Sequence, residues 1–551
     1  MEQKENILTK ILKPITKVYV DEQPKAFFAF LAYVLLMASY YMIRPTRSSI
    51  FMKEWGTEWM PIFYLIIAGC VLVASFFYNF FVSLFKRTML VRIIFGGVIG
   101  SFLIFWAIYT YVDLTPSLTK SLATAWYIWI CVYILFLTSL FWSFNHDLHL
   151  PEQSRRLYPL ILLGAQIGVV VGSWSTNYLL KKIGLHNYDL ILASSLLLLF
   201  VWGVLEILRF FDTNQREKEE EQQTESKAET FKAGARALKD NLYALCIAGI
   251  VVFGTFSFTI CDFQYKRMLE RDILSPTEEI QVTDIENTEQ MLQRISSNDI
   301  FTKELLQHCP NLAQTNDMQE ICDNINNLLD KQDLFSQEAI QSLNISSRNI
   351  DILKRTENTR RYNKILFDNY FKDALNTKKS LLDRDSIERS AFLAKYDGYM
   401  GWLNIAILFL IAPFILQKFG PGVSVLFYPL VCLIAGAFFL MGMSIQLAAV
   451  FAVILSSLNY SLYLVGKETF YVPTDKNVRY KIKALIDTFG YRLGDATGGI
   501  VTTAYIALFG FSMISGLSIV LFIVAIPWLA SIRYASKKYS EHSKNSTVTS
   551  A

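Results

Sequence analysis

The chain has 551 residues, of which 53% are hydrophobic, 14% aromatic and 18% charged, with a formal net charge of +4. Its mean hydropathy is +0.32, and the apolar residues gather into runs of about 18–25, the length that crosses a bilayer as a helix. This pattern excludes a soluble globular domain. The small net charge decides nothing about partners, because in a membrane chain the placement of charges matters more than their sum.

In chain order, residues 1–25 read as a short basic amphipathic segment on the cytoplasmic face; they lack the compact apolar core and small-residue cleavage site of a signal peptide. Six apolar spans follow within 26–210, at roughly 26–44, 61–81, 89–111, 123–144, 157–180 and 187–210. A densely charged stretch, 211–239, forms a linker, and span seven occupies 240–262. A polar insert, 263–398, comes next. Spans eight to twelve lie within 399–533, at roughly 399–417, 422–443, 446–465, 484–508 and 511–533, with a tail at 534–551. The predicted fold is therefore an all-α polytopic membrane protein. It has twelve transmembrane helices in two six-helix halves, the major-facilitator layout, with a helical domain inserted between spans seven and eight.

Lys86, Arg87 and Arg92 flank one turn, Arg155 and Arg156 another, and Lys467, Lys476, Arg479, Lys481 and Lys483 crowd a third. Arg533, Lys537 and Lys538 lie at the tail. All fall on one side if both termini are cytoplasmic, as expected for a multi-pass protein of a bacterial inner membrane. Lys181 and Lys182 are a minor exception. The insert is then extracytoplasmic. Its apolar residues recur at three-to-four spacing, which predicts short helices, and it could bind a protein partner. Cys309 and Cys322 are its only cysteines and a candidate disulfide.

Catalytic signatures are missing: there is no phosphate-binding glycine loop, no HExxH spacing and no nucleophile elbow. An enzyme is not expected, nor a cofactor, nor a nucleic-acid partner. His146 and His149, spaced i, i+3, suit a metal, but beside a turn they read better as interfacial. The informative residues are ionisable groups in or beside the spans, which are costly in lipid and so mark pathways or pairs. They are Arg44 and Arg47 around Pro45, Asp262 and Lys266 in CDFQYK, Lys467 with Glu468 in VGKETF, and Lys481, Lys483, Asp487, Arg492 and Asp495 running into and through span eleven. Asp487, Tyr491 and Asp495 share one helical face. Hydropathy alone lets the arginines be membrane-edge anchors or an anion receptor, and Pro45 predicts a kink that turns them inward. The span-eleven charges could equally be a structural ion pair.

Four segments, in order, resemble the ATP/ADP translocases of plastids and intracellular bacteria and their wider bacterial relatives. These are IRPTRSSIFMKEWGTEWMPIFYL, LFWSFNHDLHLPEQSRRLYPLILLGAQ, FTICDFQYK and GKETFYVPTDKNVRYKIKALIDTFGYRLGDATGG. The resemblance implies a secondary transporter that moves nucleotides or similar phosphorylated anions across the bilayer by alternating access, by exchange in family members. By position it implies Arg47 as the basic residue of span one, Asp262 as the acidic residue of span seven and Lys483 as a lysine of span eleven. Arg44, Lys266, Lys467, Arg492 and Asp495 complete the expected substrate-binding set. Two departures stand out: Ile130 takes the place of a span-four glutamate, and Asp495 that of a lysine. The alternatives are a proton-coupled transporter of another solute, with Asp262, Asp487 and Asp495 as proton sites, and a transporter-derived receptor acting through the insert.

Overall fold

The computed structural model describes residues 19, 22–85, 87–112, 115–148, 151–210, 241–274, 359–471, 482, 483 and 485–549. The candidate disulfide, His149, the linker and most of the insert lie outside the described residues, as do the side chains of His146 and Asp487. The chain divides into two compact units, one of residues 1–272 with 387–551 and the other of 273–386.

The larger unit is helical throughout its described residues. Its first half runs α1 (Gln23–Trp55), a 3-10 turn (Thr57–Trp59), α2 (Met60–Leu84), α3 (Arg87–Tyr111), α4 (Pro116–Leu148), α5 (Pro151–Tyr178) and α6 (Asp189–Phe210). Its second half runs α7 (Leu242–Leu274), α8 (Thr359–Ala406), α9 (Ala412–Leu440), α10 (Ile445–Tyr460), α11 (Leu462–Phe470), α12 (Tyr491–Phe509) and α13 (Ser518–Thr549). The first residues of α8 belong to the smaller unit. Ten helical stretches among the described residues are long and apolar enough to span a bilayer.

Two features of sequence explain why ten are found. Asp383–Leu440 is a single 58-residue stretch, yet Gly420 inside it has φ 78° and ψ 177°. No helix passes through that backbone conformation, which glycine alone adopts readily, so the stretch breaks there just before Pro421. In the other direction, α12 carries Arg492 and Asp495, and its polarity keeps it out of the apolar set.

Each half has its own aromatic-rich interior. In the first, Phe95, Phe102, Trp126, Tyr133 and Phe141 are fully buried, and Tyr33 stacks on Phe141 at 4.4 Å between centroids. Close approach of backbones seats α5 on α1. Gly164, Gly168 and Gly172 recur every fourth residue, and a Cβ on Gly172 would come within 2.3 Å of the Ala38 carbonyl. Small residues at this spacing are how membrane helices approach, because lipid supplies no hydrophobic drive between them. In the second half Tyr428 packs against Tyr463 and Trp528, and the Tyr463 hydroxyl donates to the Ile250 carbonyl at 2.7 Å. The glycines of α12 act as the sequence suggests: a Cβ on Gly499 would lie 2.4 Å from the Pro61 carbonyl of α2.

Outside the central cavity, several described polar contacts between the halves lie where α1, α5 and α7 finish. Glu270 of α7 accepts the Thr57 amide at 3.1 Å and also the Thr57 hydroxyl. Asn177 of α5 donates to the Ala391 carbonyl of α8 at 2.9 Å, and Lys181 pairs with Glu388. Trp174 lies against Gly398.

Candidate functional site

Between the halves lies a cavity of about 350 Å³, lined from both. From the first half come Tyr40, Arg44, Arg47, Tyr64, Tyr127 and Cys131; from the second come Asp262, Tyr265, Lys266, Asp397, Tyr460, Arg492 and Asp495. Six of the residues singled out in the sequence therefore share one wall-to-wall site, although they lie up to 451 positions apart.

Helix α1 places Arg44 and Arg47 in this cavity without a break at Pro45. It runs from Gln23 to Trp55 with Pro45 inside it, and both arginines line the cavity. They lie 11 and 8 residues before the end of the helix, roughly 12–16 Å along its axis at 1.5 Å per residue. Likewise α7 continues to Leu274, so Asp262 and Lys266 lie inside a helix rather than at its end.

Three of the four cavity cations hold carboxylates. Arg44 donates from Nη1 to Oδ1 of Asp397 at 2.9 Å. Lys266 holds Oδ2 of Asp262 at 2.6 Å, an oxygen that also accepts the Tyr64 hydroxyl at 3.1 Å. Arg492 donates to Oδ2 of Asp495 at 3.2 Å, and Thr259 donates to its other oxygen at 3.0 Å.

Arg47 differs. Among the described residues no carboxylate lies at ion-pair distance from it. Its Nη1 reaches only the Cys131 sulfur at 3.2 Å, a weak acceptor. Its guanidinium sits 4.7 Å above the Tyr127 ring, and its buried Nε has no hydrogen-bond partner. A buried guanidinium without an anion costs several kcal/mol. The Tyr265 hydroxyl, also lining the cavity, is a second buried group without a partner. The site thus holds donors that an anion would satisfy, beside several aromatic faces.

Lys467 and Lys483 are not in this site. Lys467, 1% exposed, reaches the Tyr491 hydroxyl at 3.1 Å and Oε1 of Glu468 at 3.1 Å. Lys483 holds the other Glu468 oxygen at 2.6 Å. They form a separate cluster around Glu468 that ties α11 to the approach to α12.

Sequence reasoning missed Asp397, which sits in AKYDGYMGW immediately before an apolar run and reads as the last turn of the polar insert. It missed the tyrosines because aromatic residues in apolar spans read as packing. The span-four position is also clarified. Ile130 is fully buried in the interior of the first half, whereas its neighbour Cys131 faces the cavity. No cluster of three or more metal-ligating side chains occurs among the described residues.

Residues 371–539 match the model of the TLC ATP/ADP transporter family. Similar characterised proteins include ADP,ATP carrier protein 1 of Rickettsia conorii, 25% identical over 173 residues, 27% of this chain and 34% of the relative. Another is ADP,ATP carrier protein 1 of Chlamydia muridarum, 24% identical over 174 residues, 28% of this chain and 33% of the relative. The chloroplastic ADP,ATP carrier protein 1 of Arabidopsis thaliana is 28% identical over 168 residues, 26% of this chain and 27% of that protein. The resemblance read from the sequence is borne out, and these matches span about a third of the relatives' length. Among solved structures, the nucleoside transporter NupG superposes with a TM-score of 0.52 at 10% identity, covering 93% of this chain and 99% of that one. A D-xylose–proton symporter gives 0.50 at 9%, covering 93% and 97%. At that identity the likeness bears on fold alone: a multi-pass helical architecture.

Proposed function

We propose, from the match of residues 371–539 to the TLC ATP/ADP transporters, that this chain is a secondary transporter of nucleotides or related phosphorylated anions. It works by alternating access of two six-helix halves around the central cavity, in a bacterial inner membrane with both termini cytoplasmic. The stretch broken at Gly420 counts as two spans and the polar α12 as one more, which takes ten to twelve. The segment 263–398 is then an inserted extracytoplasmic domain with room for a protein partner, a reading helped by the separate compact unit at 273–386.

The carrying observation is Arg47: a buried guanidinium in the cavity, with an unpartnered Nε and no carboxylate at ion-pair distance. Arg44 lies one helical turn away on the same face. Two guanidiniums so placed match phosphate oxygens bidentately, and the Tyr40, Tyr127 and Tyr460 rings offer apolar faces to a base. Lys266 and Arg492 neutralise Asp262 and Asp495, so these carboxylates do not face the cargo bare, and Arg47 remains the uncompensated positive charge of the described lining. Exchange is the preferred mode. Proton coupling through Asp262 and Asp495, which line the same cavity, is the second reading. In this topology α1 and α7 finish on the extracytoplasmic side, where the Thr57–Glu270 and Lys181–Glu388 contacts join the halves.

Counterflow in proteoliposomes tests this. Labelled ATP should enter vesicles preloaded with ATP or ADP and be displaced by phosphorylated compounds but not by nucleosides. Failure of every phosphorylated compound to compete overturns the reading; uptake driven by a pH gradient without trans-stimulation favours proton coupling.

A further inference from the structure

The three ion pairs lining the cavity are not equivalent. Asp262 with Lys266 and Arg492 with Asp495 are i,i+4 and i,i+3 neighbours on single helices. Such local pairs keep their geometry whichever way the two halves tilt. Arg44 and Asp397 are 353 residues apart, on α1 of the first half and α8 of the second. Among the described residues this is the cavity ion pair that spans the halves. It is also the pair that occupies the partner of Arg47, because Arg44 and Arg47 stand one turn apart on one helix face.

Resting on the transport reading above, we infer that Asp397 is a built-in competitor for the cargo. In the empty carrier its carboxylate fills the place on Arg44 that a phosphate oxygen takes when cargo is bound. Several observations converge on this. The pair is partly screened at most, with side chains 21% and 17% exposed. Separating it in an empty cavity strands two poorly hydrated charges, which is costly. Tilting the halves apart without cargo must break it, so the empty carrier is held. When a phosphate arrives, Arg47 supplies free donors at once, and Arg44 exchanges one anion for another without being left bare. Asp397 then turns to what surrounds it in the cavity, where Lys266 and Tyr265 also line the wall and the Tyr265 hydroxyl has no other partner. The exchange of partners makes reorientation depend on cargo, which is the condition for strict exchange. Asp397 thereby sets both how tightly the anion binds and whether an empty carrier can return.

The test uses the full-length carrier and labelled ATP. Removing the competing charge in Asp397→Asn should tighten ATP binding to the purified protein by about 5- to 150-fold, the range of coupling between linked sites. It should also allow efflux from preloaded proteoliposomes with no nucleotide outside. Unchanged or weaker ATP binding in a variant with wild-type thermal stability overturns the inference. If that variant does not reach the membrane, Arg44→Gln with Asp397→Asn removes both charges and leaves no orphan. The double variant should bind ATP more weakly than wild type yet lose its dependence on trans nucleotide. Preserved trans-dependence overturns the inference while leaving the transport reading standing. Absence of ATP binding and counterflow in the wild type overturns both.

Discussion

Glu270 of α7 and Thr57, at the turn between α1 and α2, are joined by three hydrogen bonds. The carboxylate takes the Thr57 amide at 3.1 and 3.3 Å and also its hydroxyl, and Arg267 donates to both residues, at 2.7 and 3.1 Å. Glu270 is 6% exposed, so water does not compete, and charge-assisted bonds in that setting are strong. Gly56, with φ 73°, lets the chain turn there so that the amide points at the carboxylate.

Glu270→Gln should therefore loosen the closed end. Each lost charge-assisted bond is worth about 1.5–3 kcal/mol, enough to shift a two-state equilibrium tenfold or more. A cysteine introduced in the vestibule near Trp59 should then react faster with a membrane-impermeant thiol reagent. Equal labelling rates in the variant and the parent would show that these contacts do not hold the end shut.

Arg47 invites the sharpest site test. Arg47→Lys keeps the positive charge but removes the planar fork and the stacking over Tyr127. If the residue receives phosphate bidentately, kcat/KM for ATP should fall by about 10- to 100-fold, which corresponds to roughly 1.4–2.7 kcal/mol. Arg47→Ala should abolish transport. Uptake kinetics in cells matched for membrane expression decide this, and a lysine variant with full activity would reduce the residue to a bare charge.

Much of this could be read in the amino-acid sequence because bilayer physics writes itself plainly. Apolar runs mark the spans, and charges within them such as Arg44, Asp262 and Asp495 stand out as costly in lipid. What remained illegible depends on three dimensions. Apolar runs mark spans and not helix ends: α1 and α7 continue in polar sequence past their apolar runs. Asp397 looked like insert, since hydropathy cannot see that a helix enters the membrane body several residues before its apolar run. Lys467 and Lys483 were grouped with the cavity charges by type, yet Glu468 claims both. Which of two adjacent residues faces the cavity, Ile130 or Cys131, is a matter of helical phase that a motif alignment does not resolve.

The α1–α5 contact offers a stability test away from the charges. With the Ala38 carbonyl 2.3 Å from where a Cβ would stand, Gly172→Ala must push the helices apart or strain them. Overpacking of this kind costs about 1–3 kcal/mol, and neither partner at the clash is a flexible side-chain end. Thermal unfolding in detergent should show a lowered transition. Gly203→Ala, where nothing lies within 4 Å of the added methyl, should leave it in place.

Lys483 separates the family resemblance from the geometry. By position it corresponds to a substrate-binding lysine, but it pairs with Glu468 outside the cavity and is 40% exposed, as is its partner at 36%. A pair that open to solvent contributes about 0–1 kcal/mol. Lys467, 1% exposed and shared between Glu468 and Tyr491, is the better anchored of the two. Lys483→Gln should thus change the KM for ATP by less than about threefold, well under the effect of Arg47→Lys, whereas Lys467→Gln should destabilise the fold measurably. A loss at Lys483 as large as at Arg47 would mean that the lysine swings into the substrate path in another conformation. Its place beside Glu468 would then belong to one stage of the transport cycle, with Glu468 releasing it as the halves tilt.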